Sequence, residues 1–446
     1  MRGKTDGWSQ VTQVPRSHGS EAASWCARYL FPCLLITLLS FLFYFHVLQF
    51  SYTYLDDAAL VIDSLRQFTA DPLSVFHVFI KNTVADLWPQ HYYRPVLAAS
   101  FMLNSVLGAD YLSGYYLVNI LLHALTACSM FLLLVRLRYA GSLALLLSFF
   151  YVVHPMMVSA VAWLPGRNDT LLTIFSVLSF IAFLNFAERK KLTDYFSHLF
   201  FLLLALFSKE NGACLIAASL LYMHLVLQKK WFCSEEKALM AGWFFVGMVW
   251  SLMRHMALTD PAPVTVTGIC ALFHSVMMNS VVLLQYLGRI FFPLHLSVWP
   301  TIQDSSWVPG AIALALLAIA LFSSKGARPD KALFGMAWFV LFLIPTLTGP
   351  NTGPAACFLN HRACLSMAGI LILLAEIAVR MRLDIKKKRH LFWISCVFLF
   401  YSFISFEHSY DYRNSAAFWN NARATTPHSW RNPGDTSLNS GYSGNT

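Results

Sequence analysis

The chain has 446 residues, of which 57% are hydrophobic and only 12% are charged, and its mean hydropathy is +0.56. Its apolar blocks are too long and too continuous for the alternating strands of an outer-membrane barrel, so the composition predicts an all-α integral membrane protein with several crossings. The formal net charge of +10 fits basic cytoplasmic loops, and we predict no nucleic-acid partner. Nine cysteines occur without CxxC or Cys/His ligand spacing, so we interpret them as small hydrophobic residues and predict no cysteine-based metal site.

Residues 1–28 are predicted to form a cytoplasmic tail. The apolar run Tyr29–Phe50 that follows is long enough to cross a bilayer, and no small-residue cleavage site follows it, so we interpret it as a retained anchor. It opens a polytopic domain over 29–407, for which we predict about eleven spans at 29–50, 115–135, 142–163, 170–187, 195–208, 212–228, 238–257, 308–324, 332–349, 363–379 and 391–406.

The apolar region 268–299 fits this count poorly. Counted as one crossing, it would invert every later loop and place the basic run Arg380–Arg389 outside. We therefore interpret it as one re-entrant or interfacial hairpin, or as a pair of crossings. With the N-terminus in the cytoplasm, most Lys and Arg residues then fall in cytoplasmic loops, as the positive-inside rule favours. The outer side receives a first loop, 51–114, with an interfacial helix, and a tail, 408–446.

Two adjacent carboxylates, Asp56 and Asp57, follow the first crossing directly. A carboxylate in a loop beside a helix end is ordinarily only solvated, and a charge at a membrane boundary is usually a snorkelling anchor or part of a structural ion pair. Here, however, polar residues from widely separated parts of the chain fall in compact groups on the same predicted face. We therefore predict a shared polar cavity at the membrane surface. The five groups are Asp56-Asp57, the segment 91–95 with Arg94, His154 with 165–169, 208–212, and 360–362.

These groups contain carboxylates, fixed cations and histidines, a combination that suits transfer from an anionic leaving group. A carboxylate takes the proton of an incoming hydroxyl, while Arg and Lys neutralise the charge that grows on a departing phosphate. The sequence contains no Walker A loop, GxSxG or HExxH, so ATP-driven work, serine hydrolysis and zinc proteolysis have no support.

The same residues carry a family resemblance, through their order along the chain. Asp56-Asp57 is followed by Tyr93-Arg94-Pro95 before the segment 115–124 with Asn119 and His123, then by His154-Pro155, 166–169 and 209–212. This ordered set, from Tyr54 to Gly212, resembles the transmembrane-and-TPR O-mannosyltransferase family of the GT-C superfamily. The later half is similar only loosely, through 285–287 and 292–294.

The resemblance implies a GT-C-like transmembrane fold and inverting transfer of a hexose, with mannose favoured. The donor would be a polyprenyl- or dolichyl-phosphate sugar, and the acceptor a protein or glycan hydroxyl, foremost a Ser or Thr of a protein. It implies a multi-pass protein among the lipids of a bacterial inner membrane or the ER membrane, with its site on the periplasmic or lumenal side. No cofactor is predicted beyond the lipid-linked sugar, which is a substrate; a divalent metal remains open.

Residue roles follow from the same resemblance. Asp56 or Asp57 would be the general base. The donor phosphate and substrate would be bound by a set of charged residues and histidines, namely Arg94, Arg167, Lys209, Glu210, Asp169, His154, His361 and Arg362. His123 lies within a predicted span, and we expect it to pack between helices. Asn168-Asp169-Thr170 matches a glycosylation pattern, but we expect it to stay unmodified because it would line the site.

The sequence departs from this family after the last span, where family members carry an array of TPR helices. Here residues 419–430 are predicted to form the first helix of such an array, most of which is lacking, and the Gly-, Ser- and Asn-rich tail to Thr446 is predicted to be disordered. Two alternatives stay open: a polytopic transporter or lipid flippase, whose charges line a substrate pathway, and a non-catalytic scaffold of the same fold.

Overall fold

The computed structural model describes residues 26–80, 92–106, 111–230, 233–258, 269–322, 329–349, 357–384 and 386–430. Over these ranges the chain is helical, with one isolated antiparallel bridge between Thr301 and Cys357. The helices are α1 Phe31–Tyr44, α2 Asp57–Ala70, α3 Ser74–His77, α4 Pro95–Val106, α5 Leu112–Arg136, α6 Gly141–Val152, α7 Val158–Ala162, α8 Arg167–Arg189, α9 Leu192–Ser208, α10 Cys214–Leu221, α11 Ser234–Ala257, α12 Ile269–Met278, α13 Val281–Phe291, α14 Val308–Phe322, α15 Pro329–Leu343, α16 Met367–Arg380, α17 Lys388–Ser409, α18 Ser415–Thr425 and α19 Pro427–Trp430.

Six helical stretches in the described part of the chain are long and apolar enough to cross a membrane. A seventh is obtained if α6 and the stretch Pro155–Ala162, which meet at a bend of 56°, form one broken span. Several of the predicted crossings fall on shorter apolar helices, so the predicted count of about eleven is not confirmed. The six are Arg28–Gln49, Leu112–Arg136, Leu164–Arg189, Cys270–Phe291, Pro329–Thr348 and Lys388–Tyr412; the shorter apolar helices are Pro95–Ser105, Leu192–Ser208, Glu210–Val226 and Val308–Phe322.

The region 268–299, predicted as a hairpin or a pair of crossings, contains α12 and α13 in direct succession. By length and composition, Cys270–Phe291 qualifies as one crossing. At the junction of the two helices the buried Asn279 donates from Nδ2 to the carbonyl oxygens of Leu347, at 2.8 Å, and Gly349, at 2.9 Å. This side chain therefore ties the helix pair to the 3₁₀ turn Ile344–Thr348 at the end of α15.

Close helix packing in the bundle depends on small residues. α15 and α16 meet at Gly335 and Gly369, where a Cβ added to Gly369 would collide with the Gly335 carbonyl. Next to this contact Phe180 of α8 packs its ring against Trp338 of α15, with centroids 5.0 Å apart. Apolar burial adds little to helix association in lipid, so such close backbone approach and interlocking rings hold the bundle together.

The bundle has two chemically different ends. At one end Glu188, near the C-terminus of α8, pairs with Arg136 and Arg138, each at 2.7 Å. At the other end the first turn of α8 carries Asp169. α8 thus runs from the end that carries the predicted outer groups to the end that carries basic residues, in agreement with the predicted division between outer and cytoplasmic loops. Which side of the membrane each end faces stays a prediction.

The segment after α17 returns to the first loop. The backbone N–H of Ser51 donates to the Arg413 carbonyl at 2.8 Å, and the His46 ring lies 2.6 Å from the Ser409 hydroxyl. Because α17 separates Ser409 from the basic segment before Lys388, the first loop and this tail share the end opposite Arg380–Arg389.

α18 and α19 lie where the sequence predicts a helix at 419–430. α18 buries Phe418, Trp419 and Ala422, and its Asn421 accepts from the Val298 N–H at 2.9 Å. Whether these helices begin a TPR array stays a prediction. The predicted disorder after residue 430, and the predicted tail before residue 26, lie outside the described residues.

Candidate active site

A cavity of about 660 Å³ opens at the end of the bundle that carries the predicted outer groups. Each of the five groups contributes at least one side chain to its wall, so the structure brings together residues that are far apart in sequence. The polar part of the wall includes Asp56, Tyr92, Arg94, Asn168, Asp169, Lys209, Glu210, Asn211, Thr346, Thr348, His361 and Arg362. His91, from the predicted group 91–95, lies outside the described residues.

The two adjacent aspartates have different surroundings. Asp57 is fully buried, and its Oδ2 accepts the Thr53 backbone N–H at 2.6 Å, which closes the turn before α2. Within that turn Tyr54 adopts a left-handed backbone conformation, φ 56°, which is strained for a bulky residue and persists only where neighbouring contacts enforce it. The turn is anchored at Ser51, whose carbonyl accepts from Tyr116 Oη at 2.9 Å. Asp56, next along the chain, lines the cavity.

The surroundings also change the acidity of both groups. Burial raises the pKa of Asp56 above its usual range, and the nearby charge of Asp57 raises it further. Burial likewise raises the pKa of Asp57, although hydrogen bonds from Thr53 oppose the shift. A raised pKa makes an ionised carboxylate a stronger base, so Asp56 combines access to the cavity with increased basicity.

Lys209 and Asp169 form a buried ion pair in the cavity wall. Lys209 Nζ lies 2.8 Å from both carboxylate oxygens of Asp169. Lys209 directly follows the last residue of α9, and Asp169 lies in the first turn of α8, so the pair fastens two antiparallel helices at the cavity. His361 Nε2 lies 3.8 Å from Asp169 Oδ2 on the same wall.

Arg94 and Glu210 form a second, looser pair, with Nη2 and Oε2 3.3 Å apart. The Arg94 guanidinium also lies over the Tyr92 ring, 4.4 Å from its centroid. With its carboxamide oriented to satisfy both ends, Asn168 accepts from Arg94 Nη1 at 2.9 Å and donates to the Ser208 carbonyl at 2.6 Å. Asn168 is thus buried in the site wall. That it is not glycosylated stays a prediction.

Two charged residues remain after these pairings. Arg362 donates from Nη1 to the Cys357 carbonyl at 3.5 Å, and no acid in the described ranges forms an ion pair with it. Asp56 likewise has no basic partner among the residues that the structure describes. Among the described residues, the cavity therefore presents a carboxylate and a guanidinium that form no ion pair.

Arg167 was expected to bind the donor phosphate, but it does not line the cavity. It is fully buried, and its guanidinium donates to Asn119 Oδ1, at 2.8 Å, and to Asn104 Oδ1, at 2.8 Å. It also donates to two carbonyls and lies 4.2 Å over the Phe101 ring centroid. Because its donors are occupied within the protein, this geometry assigns Arg167 to joining α4, α5 and α8.

Two histidines also serve packing. His154, expected at the site, is buried away from the cavity: its Nδ1 accepts the Met156 N–H at 3.2 Å, and its Nε2 lies 3.1 Å from the Ile290 carbonyl. His123 packs between helices as predicted, with its ring stacked on Tyr151 at 5.5 Å. The structure therefore does not bring His154 to the cavity with the other predicted site residues.

The sequence did not predict the apolar part of the cavity wall. It includes Trp163, Val282, Ile302, Phe358 and Leu359. Apolar and aromatic residues in a membrane protein have the same sequence pattern whether they face a cavity, another helix or lipid, so no sequence signal distinguished them. Leu359 directly precedes the predicted group 360–362, and Trp163 lies two residues before the group 165–169, but neither belongs to a predicted group. In the described part of the chain, no three His, Cys, Asp or Glu side chains are grouped to hold a metal ion.

Part of the chain is similar to known proteins. Residues 95–253 match the family model described as dolichyl-phosphate-mannose-protein mannosyltransferase. The human protein O-mannosyl-transferase TMTC4 is 26% identical over 197 residues, which cover 39% of this chain and 27% of the relative. Protein O-mannosyl-transferase Tmtc1 of Drosophila melanogaster is 26% identical over 176 residues, covering 39% of this chain and 20% of the relative.

A shorter match has higher identity. A protein O-mannosyl-transferase of Caenorhabditis elegans is 30% identical over 131 residues, covering 28% of this chain and 19% of the relative. The matched region thus spans between about a fifth and about a quarter of the length of these relatives.

Proposed function

We propose that this chain is a membrane glycosyltransferase of the inverting kind, because residues 95–253 match the mannosyltransferase family model and the proteins similar to it are named protein O-mannosyl-transferases. It transfers a hexose, with mannose favoured, from a polyprenyl- or dolichyl-phosphate to a hydroxyl acceptor, foremost a Ser or Thr of a protein. The observation that carries the proposal is that Asp56 and Arg362, neither of which forms an ion pair among the described residues, line one cavity.

The phosphate end of the reaction is assigned to the basic part of the wall. Arg362 has its charge available, whereas Arg94 and Lys209 are each paired with an acid. A guanidinium binds phosphate oxygens in a forked geometry that lysine lacks, and in a site with little water its charge stabilises the departing phosphate strongly. Arg362 is therefore the main phosphate ligand, and the two ion pairs keep the rest of the wall in place.

The acceptor end is assigned to Asp56. Its carboxylate takes the proton of the acceptor hydroxyl while the hydroxyl oxygen attacks the anomeric carbon. The bond from that carbon to the phosphate oxygen breaks, and its electron pair leaves with the polyprenyl phosphate. One glycosidic bond forms and one glycosyl–phosphate bond is cleaved, and the proton on Asp56 passes to solvent after product release.

The apolar part of the wall suits the lipid portion of the donor. Val282 of α13 and Pro345 of the 3₁₀ turn after α15 lie at the cavity, and both elements belong to stretches apolar enough to cross a membrane. A lipid-linked donor can thus place its phosphate at Arg362 while its isoprenoid chain stays among apolar side chains or membrane lipid. This separation of polar and apolar walls supports a lipid-phosphate donor over a soluble sugar nucleotide.

The central test is Asp56→Asn, which keeps the shape of the side chain and removes its basicity. We expect transfer from a polyprenyl-phosphate hexose to fall by about 10²–10⁴-fold, the usual contribution of a general base, with the amount of folded protein unchanged. Asp63→Asn is the matched control, because Asp63 lies on α2 and pairs only with Arg66 at the surface, at 3.8 Å.

Equal transfer by wild type and Asp56→Asn would remove the base assignment. If the purified protein moves the lipid-linked sugar between leaflets and transfers no hexose, the flippase alternative replaces the transferase.

A further inference from the structure

Two buried nitrogen atoms in the cavity wall lack hydrogen-bond partners. Trp163 Nε1 and His361 Nδ1 have none among the residues that the structure describes. Both residues line the cavity, with exposures of only 5% and 6%. Since buried polar atoms in folded proteins are nearly always hydrogen-bonded, these two atoms beside a cavity are candidates to bind a polar ligand.

Other tryptophans of the bundle do not share this feature. Trp338 Nε1 donates to the Leu365 carbonyl at 2.9 Å, Trp243 Nε1 to His198 Nε2 at 2.8 Å, and Trp250 Nε1 to the Leu206 carbonyl at 3.1 Å. The bundle therefore satisfies these indole N–H groups from within. The unpaired N–H of Trp163 is a property of the cavity wall.

The two unpaired atoms have complementary character. An indole N–H only donates. The side of His361 opposite Nδ1 faces an acid, because Nε2 lies 3.8 Å from Asp169 Oδ2. An imidazole with its proton on Nε2, towards that acid, leaves Nδ1 as an acceptor. Burial, above all, lowers the pKa of His361 to about 3, so the ring is neutral near physiological pH.

The Trp163 and His361 rings adjoin each other, with centroids 5.2 Å apart and planes inclined by 49°. One donor and one acceptor on adjoining rings match a hydroxyl, which accepts through its oxygen and donates through its hydrogen, or two neighbouring hydroxyls of one sugar ring. We propose that Trp163 Nε1 and His361 Nδ1 form the hexose subsite of the cavity and hydrogen-bond to hydroxyl groups of the lipid-linked sugar. This subsite rests on the proposed function, because it places the sugar of that donor.

The subsite lies on the same wall as the proposed phosphate ligand, since Arg362 follows His361 directly. A hexose held at His361 therefore has its phosphate within the neighbourhood of Arg362. Specificity of this kind is strong because a site built to hydrogen-bond a hydroxyl is left with unpaired buried groups when the hydroxyl is absent or points elsewhere.

The first test measures binding, so that it does not depend on transfer. The purified protein in detergent is heated with polyprenyl phosphate or with polyprenyl-phosphate mannose, and the wild type should be stabilised more by the sugar-bearing lipid. Trp163→Phe and His361→Ala should lose this sugar increment, through an affinity about tenfold weaker, and keep the stabilisation by polyprenyl phosphate.

Two further variants separate the subsite from a packing effect. Trp338→Phe also removes an indole N–H from the core and should keep the sugar increment even if its baseline stability falls. His361→Asn supplies an amide oxygen near the position of Nδ1 and should retain part of the increment that His361→Ala loses.

The second test measures sugar choice, as the ratio of kcat/KM for mannose and glucose donors. Trp163→Phe should bring this ratio towards one, whereas a purely structural defect would lower both values alike. If the wild type shows no sugar increment, or if Trp163→Phe and His361→Ala keep both the increment and the ratio, the subsite is overturned. Binding of the sugar without any transfer by the wild type would instead overturn the proposed function and leave the subsite standing.

Discussion

The substitution Arg167→Lys distinguishes a phosphate-binding role of Arg167 from a structural role in joining α4, α5 and α8. A phosphate ligand would tolerate lysine in folding and lose donor affinity. The structure predicts the reverse, because the guanidinium of Arg167 is fully buried and donates to four acceptors, at 2.8, 2.8, 3.0 and 3.2 Å.

The magnitude follows from these contacts. Lysine keeps the charge but replaces a rigid planar fork by a single ammonium, which cannot reach acceptors on α4 and α5 together. At least two charge-assisted hydrogen bonds are then lost, each worth about 1.5–3 kcal/mol, together with the stacking on Phe101. We expect Arg167→Lys to lower the free energy of unfolding by about 3–6 kcal/mol.

The assay is equilibrium unfolding of the purified protein in mixed micelles, followed by donor-induced stabilisation of the fraction that remains folded. Arg362→Lys is the matched control, because Arg362 has one weak internal hydrogen bond, at 3.5 Å, and lies in the cavity wall. It should unfold within about 1 kcal/mol of wild type and bind the donor less well. Wild-type stability with lost donor binding in Arg167→Lys would refute this reasoning and restore Arg167 as a phosphate ligand.

Three further predictions concern the loops around the cavity. Asp56 is the proposed base, and the charge of Asp57 helps to raise its pKa, so activity should fall as the pH drops through that raised pKa. Asp57→Asn should move this acid limb of the kcat/KM profile to lower pH, and an unmoved limb would contradict the coupling. Asn421→Ala should release the loop at 296–298 and lower kcat more than it changes KM. Asn420→Ala, at an exposed position of the same helix, should match wild type. Equal kinetics in the two variants would exclude a positioning role for Asn421. A cysteine-accessibility scan should place residues 51–80 and 413–430 on one side of the membrane and Arg380–Arg389 on the other. Labelling of all three segments from one side would contradict this topology.

The adjacent aspartates show how far a sequence motif reaches. The motif marked both Asp56 and Asp57 and left the base unassigned between them. At the start of a helix, consecutive side chains diverge by about 100°, so one carboxylate turns into the cavity while the other turns back to the Thr53 N–H. That choice depends on how α2 packs against the bundle, which the order of residues does not contain.

The same limit applies to the segment 163–169. Its motif marked Arg167 and Asp169 together, yet the structure sends Arg167 into the helix junction and places Asp169 at the cavity beside Lys209. Trp163 carried no signal at all, because an indole N–H without a partner becomes visible only once every neighbouring group has a position.

The sequence by itself determined the membrane environment, the helical class and the convergence of distant polar groups, because hydropathy and charge act along the chain and are summed over many residues. Only the tertiary structure decided which members of those groups neutralise one another. The pairs Asp169–Lys209 and Arg94–Glu210 join residues 40 and 116 positions apart, and they leave Asp56 and Arg362 available in the cavity. Such pairing is set by distances of a few ångströms between helices, because the interaction of two charges depends on their separation and burial and not on their order in the chain.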